Sequence, residues 1–286
     1  MSYAFIFSSR TVFCWIAGLV LAIAASLPGT REVALGQSVV ATGQSFITSR
    51  LLPGKRTEDG GRLAGLRLSM EPGWKTYWRN PGETGIPPRF NWSASRNVRE
   101  VKLHWPRPGM FKSFGMWTAG YSDVVLFPVE VSPEDPSLPM RLSMSAELGV
   151  CKDICVLELV EVSVEIAPDD PEIGARQIRS ALRRVPTKAS PDTIIVRACR
   201  FGGTGRDRQM SADLGLVAEL SNPYVLVEHS QGAWIKGLQQ RAVAGGLELD
   251  VDFVLPEGQT WIDRSAFRMT VLGDEAAYDI QGCRVG

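Results

Sequence analysis

Residues 140–166 read MRLSMSAELGVCKDICVLELVEVSVEI and contain two cysteines between two segments of alternating polarity. Every second residue is apolar from Met140 up to the first cysteine and again from Val160 to the end of the stretch. This period of two is typical of strands with one buried face. Because only three residues separate the cysteines, the stretch predicts an antiparallel hairpin with a cysteine on each side of its turn.

The cysteines of this hairpin, Cys151 and Cys155, are placed to form a disulfide. Opposite residues of an antiparallel pair have Cα atoms about 4.5–5.5 Å apart, within the range that a disulfide accepts. Both cysteines have the polar parity of their strands, so we expect both to face away from the core. Residues 157–159 interrupt the alternation, which predicts a β-bulge beside Cys155.

The short separation of these cysteines favours a redox-active bond over a structural one. In a chain-entropy treatment, closing this loop stabilises the fold by about 2 kcal/mol, whereas a bond between Cys199 and Cys283 would contribute roughly 4.5 kcal/mol. A reactive thiolate needs exposure to solvent and a positive electrostatic potential. Lys152 contributes positive potential beside the cysteines, and Asp153 partly cancels it. We therefore interpret the hairpin cysteines as a reactive pair, with a structural disulfide as the alternative.

The composition allows two domains and gives no support to binding driven by net charge. The 286 residues are 44% hydrophobic and include 28 Gly and 18 Pro, which is enough chain for two domains with their own cores. The formal net charge is zero, so neither nucleic-acid binding nor attachment to an anionic surface is expected.

Residues 1–36 are interpreted as a signal peptide and leader. Arg10 precedes an apolar run over residues 11–27, and small residues suitable for cleavage occur at residues 22–24 and 34–36. The run is slightly short for a stable membrane span, and an uncleaved anchor is the alternative. Export would place the protein in the periplasm, an oxidising compartment in which disulfides persist.

The rest of the chain predicts an all-β protein with two β-sandwich domains. Short apolar runs separated by Gly, Pro, Asn and Asp turns occur on both sides of one helical segment. We place the first sandwich at residues 37–168, a linker helix within residues 169–190 and the second sandwich at residues 191–286. The helix is expected to start at residues 170–172, because Asp is a frequent N-cap and Pro is favoured at the first helical position.

A second cysteine pair lies in the predicted second sandwich. Cys199 falls in its first predicted strand and Cys283 in its last, so a bond between them would tie the two ends of the domain together. We expect this disulfide to be structural and chemically inert. The fifth cysteine, Cys14, lies in the leader.

Patterns for other kinds of chemistry are weak. The two histidines, His104 and His229, lie in different predicted domains and lack the spacing for a zinc site or for a nucleophile with its base. The sequence has no phosphate-binding glycine loop, no G-x-S-x-G motif and no C-x-x-C motif. We therefore predict neither a cofactor nor a metal site.

Copper binding is kept as an alternative, because thiolate and thioether ligands select soft metal ions such as Cu(I). Met110, Met116 and Met144 are the methionines that could join the hairpin cysteines in such a site. Met144 has the core parity of its strand, which weakens it as a ligand.

Two aromatic segments precede the hairpin. Residues 73–88 contain three aromatic residues followed by several Pro and Gly, which predicts a strand that runs into a long ordered loop. Core packing is the simpler interpretation for Trp74, Tyr77 and Trp78 taken one at a time. Residues 106–117 form an apolar loop without helix or strand period, expected either to cover a site or to pack on the sandwich.

Three segments together carry a resemblance to a known family. They are residues 74–88, 120–124 and 149–155, which read WKTYWRNPGETGIPP, GYSDV and GVCKDIC. They resemble the amino-terminal periplasmic domain of DsbD-type thiol:disulfide interchange proteins, in particular the copper-sensitivity-suppressor branch. The likeness is strong over residues 45–167 and looser over the remainder, which is similar to a second immunoglobulin-like domain of that branch.

The resemblance implies immunoglobulin-like sandwiches and a relay function. In that family a cysteine pair, here Cys151 and Cys155 by position, accepts electrons from a membrane partner and passes them to periplasmic clients. The C-x3-C spacing is shorter than in the best-known members. The sequence contains no multi-span membrane segment and no thioredoxin domain, so a separate membrane-embedded electron donor is expected.

Two functional hypotheses remain. The first is an exported oxidoreductase that carries out thiol-disulfide exchange with periplasmic thiol/disulfide proteins. In this hypothesis Cys155 is the cysteine that a partner attacks, provided that the predicted bulge exposes it. The second is a non-catalytic module that holds a partner protein or Cu(I), with both disulfides structural. In the first hypothesis, the side chains expected to shield the cysteine pair in the absence of a partner are Tyr77, Trp78, Phe111 and Phe114.

Overall fold

A computed structural model describes the molecule over residues 39–40, 45–113 and 115–283, with the backbone alone described for residues 39, 40 and 113. The leader predicted for residues 1–36 lies outside the described residues. Within those ranges the chain forms nineteen strands, one α-helix and a short 3-10 turn at Arg264–Ala266. The all-β class predicted from the sequence is confirmed.

The first sandwich contains eleven strands in two sheets. In chain order these are Val39–Val40 (β1), Ile47–Arg56 (β2), Arg62–Met70 (β3), Lys75–Gly82 (β4), Arg89–Asn91 (β5), Glu100–Leu103 (β6), Gly109–Ser113 (β7), Met116–Ser122 (β8), Val124–Ser132 (β9), Met140–Cys151 (β10) and Cys155–Ile166 (β11). One sheet has the order β1-β11-β10-β4-β8-β7, with β5 paired to β10, and the other has the order β2-β3-β9-β6.

The alternating pattern of the cysteine hairpin sets its register. β10 and β11 pair continuously from Met140 opposite Ile166 to Cys151 opposite Cys155. The apolar, even-numbered residues of β10 are buried in the core between the two sheets, together with Phe127 from β9. A slip of one residue would turn this apolar set to solvent, so burial of one face fixes the pairing.

The second sandwich contains eight strands in two sheets. In chain order these are Thr187–Lys188 (β12), Ile194–Thr204 (β13), Asp207–Leu216 (β14), Tyr224–His229 (β15), Trp234–Val243 (β16), Gly246–Val254 (β17), Phe267–Leu272 (β18) and Ala277–Gln281 (β19). The sheets have the orders β13-β14-β17-β16 and β12-β19-β18-β15. They enclose a second core that is centred on Phe253, Phe267 and Met269.

Helix α1, Ala175–Leu182, joins the two sandwiches. It begins later than predicted, because Gly174 occupies the N-cap position in a left-handed conformation and Asp170 instead accepts the Ala167 N–H with its carboxylate. The expected start at residues 170–172 is therefore wrong. Ile178 is buried against the first sandwich, over Gly65 of β3.

The two sandwiches belong to one compact unit. Leu226, Leu272 and Ala277 of the second sandwich extend the core cluster of the first. The domain limits 37–168, 169–190 and 191–286 stay predictions. Among the residues that the structure describes, no helix has the length and apolar character needed to cross a membrane.

Candidate functional site

The cysteine hairpin ends in a disulfide between Cys151 and Cys155. These residues are opposite each other in the register, and their Cα atoms are 4.1 Å apart. Residues 152–154 form the turn, in which the Lys152 N–H donates to the Ile154 carbonyl at 3.0 Å. The chain therefore holds two sulfurs at the tip of a long ribbon, where solvent is close.

The β-bulge predicted beside Cys155 is wrong. β10 and β11 show no register shift along their length. The alternation is interrupted in sequence because Leu157 and Leu159 occupy outward-facing, exposed positions, while Glu158 between them faces inward and accepts the Phe46 N–H at 3.0 Å. Two exposed leucines and one inward-facing glutamate break the pattern without any change of register.

The two sulfur-bearing residues differ in exposure. Cys155 is exposed, whereas only 7% of the Cys151 surface is accessible. Strand parity places both residues on the outer face of their sheet, as expected. Cys151 is nevertheless buried, because a neighbouring side chain on that face covers it.

The covering side chain is Tyr77 of β4. Lys75 is opposite Cys151 across the β4–β10 pair, so Tyr77, two residues further, projects from the same outer face. The Tyr77 hydroxyl donates to Cys151 Sγ at 2.9 Å and lies 3.7 Å from Cys155 Sγ. Burial raises the pKa of Tyr77, so the hydroxyl keeps its proton at neutral pH and remains a donor.

Two glycines make room for side chains that lie flat on this face. A Cβ on Gly149 would approach the Ile86 Cβ to 2.6 Å and the Tyr77 ring to 3.2 Å. A Cβ on Gly120 would approach the Phe111 ring to 3.1 Å. The tyrosine can reach the sulfurs because the neighbouring strands carry glycine at these positions.

The four predicted shielding residues are not all brought together. Tyr77 contacts the cysteines, and the Phe111 ring centroid lies 6.4 Å from that of Tyr77. Trp78 is fully buried in the first core, on the opposite face of β4. Phe114 lies outside the described residues. A shielding role for Tyr77 and Phe111 stays a prediction. Tyr77 and Trp78 are neighbours in one strand, so strand alternation alone requires that one of them faces the core.

Two lysines border the disulfide. The Lys75 ammonium lies 4.6 Å from the centroid of the Phe111 ring, in a cation–π contact. Lys152 Nζ donates to the Pro72 carbonyl at 3.4 Å beside the turn. Lys75 is opposite Cys151 in the strand pairing and Lys152 follows Cys151 in the chain, and a positive charge near a cysteine favours its thiolate form once the bond is opened.

The second predicted disulfide, Cys199–Cys283, is also present, with Cα atoms 5.8 Å apart. Both residues are buried and belong to the core of the second sandwich. Only 7% of the Cys199 surface and none of the Cys283 surface is accessible, so neither residue of this pair is open as Cys155 is. Its structural role stays a prediction.

The methionines considered for copper lie in different surroundings. Met144 is buried in the first core, Met110 is partly buried and Met116 is exposed. In the described parts of the chain, no three His, Cys, Asp or Glu side chains come together as a metal site would require. The hairpin sulfurs are joined to each other in a disulfide, which leaves no thiolate to bind Cu(I) in this state.

Each histidine has a polar neighbour at one of its ring nitrogens. His104 Nε2 lies 2.9 Å from a carboxylate oxygen of Glu130. His229 Nδ1 accepts the Ala233 N–H at 3.1 Å, and burial lowers the pKa of His229. They lie in separate sandwiches, and neither contacts the hairpin cysteines.

Sequence reasoning missed a charged cluster that joins β4 to the second sandwich. Arg79 Nε donates to the Glu228 carboxylate at 3.1 Å, and its guanidinium lies 3.5 Å from Asp279. Asn80 Nδ2 donates to a backbone carbonyl of β15 at 2.9 Å. The cluster ties the strand that carries Tyr77 to the second domain. No local pattern predicts contacts between residues 149 positions apart.

The sequence and the fold of this chain are similar to those of known proteins. Residues 48–165 match the family described as thiol:disulfide interchange protein DsbD, N-terminal. The fold is similar to that of the N-terminal periplasmic domain of ScsB from Proteus mirabilis, with a TM-score of 0.66 and 24% identity over 89% of this chain and 100% of that one. A search of curated proteins found no match.

Residues 48–165 are thus a DsbD-type N-terminal domain with an immunoglobulin-like sandwich fold. The domain carries its disulfide at the tip of a hairpin, with one sulfur open and the other hydrogen-bonded to a tyrosine. These features together fit a thiol:disulfide interchange module.

Proposed function

We propose that this chain is an exported thiol-disulfide oxidoreductase that relays electrons between protein partners through Cys151 and Cys155. The observation that carries the proposal is the unequal exposure of the two cysteines, with Cys155 open and Cys151 beneath the Tyr77 hydroxyl. Membership of residues 48–165 in a thiol:disulfide interchange family supports it. Export rests on the signal predicted in residues 1–36.

The open sulfur sets the order of the chemical steps. A partner thiolate attacks Cys155 Sγ, the sulfur–sulfur bond breaks, and its electron pair moves to Cys151 Sγ, which leaves as a thiolate. The Tyr77 hydroxyl, 2.9 Å away, donates a hydrogen bond to the charge that develops there. The partner is then held in a mixed disulfide with Cys155.

The mixed disulfide is resolved by the second thiol of the partner. That thiol, as a thiolate, attacks the partner's own bridged sulfur and releases Cys155 as a thiolate, which solvent protonates. The partner leaves oxidised by two electrons, and this chain holds the reduced cysteine pair. The same steps in reverse reduce the disulfide of a client, and we propose a separate membrane-embedded protein as the electron donor.

A redox titration tests the proposal. Equilibration of the protein with glutathione buffers, followed by mass spectrometry of alkylated cysteines, is expected to give a potential for Cys151–Cys155 between about −120 and −270 mV, the range of redox carriers. A potential below about −300 mV would favour the alternative, a non-catalytic module that holds a partner or Cu(I) with two structural disulfides.

Single-cysteine variants test which sulfur is attacked. The Cys155 thiol left in Cys151→Ser is expected to react with Ellman's reagent about tenfold faster than the Cys151 thiol left in Cys155→Ser, because only Cys155 is exposed. The double variant Cys151→Ser, Cys155→Ser should lose all reduction of client disulfides, and wild-type activity in that variant would remove the proposal.

A further inference from the structure

The cysteine hairpin exposes large apolar side chains next to the open sulfur. Ile154, Leu157 and Leu159 are 63%, 56% and 59% exposed. A single exposed hydrophobic residue is common on a protein surface, but a cluster of them marks an interaction site. We refer to these three residues as the hairpin apolar face.

The hairpin apolar face is continuous with Cys155. Residues two apart in a strand project to the same side, so Leu157 and Leu159 lie on the side of the open sulfur. Leu157 is opposite Gly149 in the register, and the half-exposed Ile86 covers Gly149. The apolar surface therefore extends from β11 across β10.

Charged side chains border this surface. Lys152 and Asp153 are exposed at the hairpin turn. At the other end Leu159 is opposite Glu147, which forms an exposed ion pair with Arg89 at 3.7 Å. An apolar centre inside a charged rim is the usual composition of a protein–protein interface.

We propose that the hairpin apolar face docks a protein whose own reactive cysteine lies in apolar surface. The proposal rests on the proposed function and names the kind of partner that it requires. Tyr77 covers the Cys151 side of the bond, and Leu157 is the next exposed residue after Cys155 on the outer face of β11, so a partner that reaches Cys155 Sγ meets this apolar surface. A protein partner therefore buries the face as the mixed disulfide forms, whereas a small hydrophilic thiol forms the same bond without burying it.

The test compares a protein thiol with a small thiol. Reduced bacterial thioredoxin, a small protein with an exposed cysteine in a largely apolar surface, is mixed with the oxidised full chain in a stopped-flow instrument, and dithiothreitol is used in parallel. The variant is Leu157→Thr with Leu159→Thr, since threonine keeps the strand propensity of exposed positions. We expect the rate constant with thioredoxin to fall about tenfold and that with dithiothreitol to stay within about twofold.

A matched control substitutes exposed apolar residues elsewhere. Leu138→Thr with Ile195→Thr removes two exposed aliphatic side chains, one in each sandwich and both away from the hairpin. The control variant is expected to react with thioredoxin and with dithiothreitol at the wild-type rates. An equal fall with thioredoxin in the control would show a general surface effect and overturn the proposal.

The remaining outcomes separate this proposal from the proposed function. If neither reagent opens the wild-type Cys151–Cys155 bond, the proposed function fails. If both open it and the Leu157 and Leu159 substitutions leave the thioredoxin rate unchanged, the docking proposal alone fails. Sedimentation gives a further outcome. If the wild-type protein is a dimer and the variant is a monomer with an unchanged thioredoxin rate, the face binds a second copy of this chain, and the docking proposal is overturned.

Discussion

The Cys151–Cys155 disulfide joins residues four positions apart at the tip of an exposed ribbon, whereas Cys199–Cys283 joins residues 84 positions apart inside the second core. One bond has an open sulfur, a tyrosine hydroxyl on the other sulfur and exposed leucines beside it. The other is enclosed by packed side chains. The bond is the same in both places, so loop length and surroundings decide which pair is suited to exchange and which to stabilise.

The largest expected effect comes from removing the enclosed pair. Cys199→Ala with Cys283→Ala is expected to lower the free energy of unfolding by about 4.5 kcal/mol, since the unfolded chain regains the freedom of a long loop. Cys151→Ala with Cys155→Ala removes a bond that closes only a short loop, so the loss should be about 2 kcal/mol. Urea unfolding of both variants under oxidising conditions measures the difference.

Selective reduction gives an independent check on the same comparison. Under native conditions dithiothreitol should open Cys151–Cys155 at least about 100-fold faster than Cys199–Cys283, because a buried sulfur becomes accessible only when the core opens. Alkylation followed by mass spectrometry identifies the cysteines that react first. Equal rates, or equal losses of stability, would contradict the assignment of different roles to the two pairs.

The sequence predicts those parts of the molecule that depend on local period. Alternation from Met140 to Cys151 predicts the strand, its buried face and the position of the cysteines, because strand side chains have a strict period of two. The same reliance on period two produced the wrong prediction of a bulge beside Cys155. Period-two reasoning assumes polar outward residues, and Leu157 and Leu159 break that assumption on a surface that we propose to be an interface.

Contacts between distant segments are not predictable in this way. The hydroxyl of Tyr77 reaches Cys151, 74 positions along the chain, through a strand pairing that no local pattern encodes. The Arg79 cluster spans the two sandwiches and depends on how the domains pack. Helix α1 begins after a left-handed Gly174, where a Cβ would approach Leu52 Cδ1 of β2 to 2.8 Å. The composition of residues 73–88 points to the aromatic segment, but only the structure shows that Tyr77 faces the cysteines and Trp78 faces the core.

The Arg79 cluster allows a test of whether the second sandwich supports the first. Arg79→Ala leaves the largely buried carboxylates of Glu228 and Asp279 with less compensation, since Arg268 still pairs with Asp279. We expect a loss of about 2 kcal/mol in unfolding free energy, less than for a fully buried pair. Arg89→Ala is the matched control, because its ion pair with Glu147 is exposed and should contribute about 0–1 kcal/mol.

The same Arg79→Ala variant connects the two regions. Arg79 and Tyr77 lie on the same strand, so loss of the Arg79 contacts should also loosen the position of the Tyr77 hydroxyl. The leaving Cys151 thiolate then loses part of its hydrogen bond, and dithiothreitol should open Cys151–Cys155 more slowly. The rate is measured well below the denaturation midpoint, so that global unfolding does not contribute. A full loss of stability with an unchanged rate would show that the second sandwich stabilises the molecule without positioning the hydroxyl.

The smallest effect, and the most local one, is expected from Tyr77→Phe. The change removes the donor 2.9 Å from Cys151 Sγ, so the leaving thiolate loses a charge-assisted hydrogen bond and opening by dithiothreitol should slow by about tenfold. Because burial raises the pKa of Tyr77, the ratio of wild-type to variant rates should stay constant from about pH 6 to 9. Tyr121→Phe is the control, since its hydroxyl donates to the Pro106 carbonyl instead. An equal slowing in both variants would trace the effect to packing of the sheet, and the tyrosine would then have no specific part in breaking the bond.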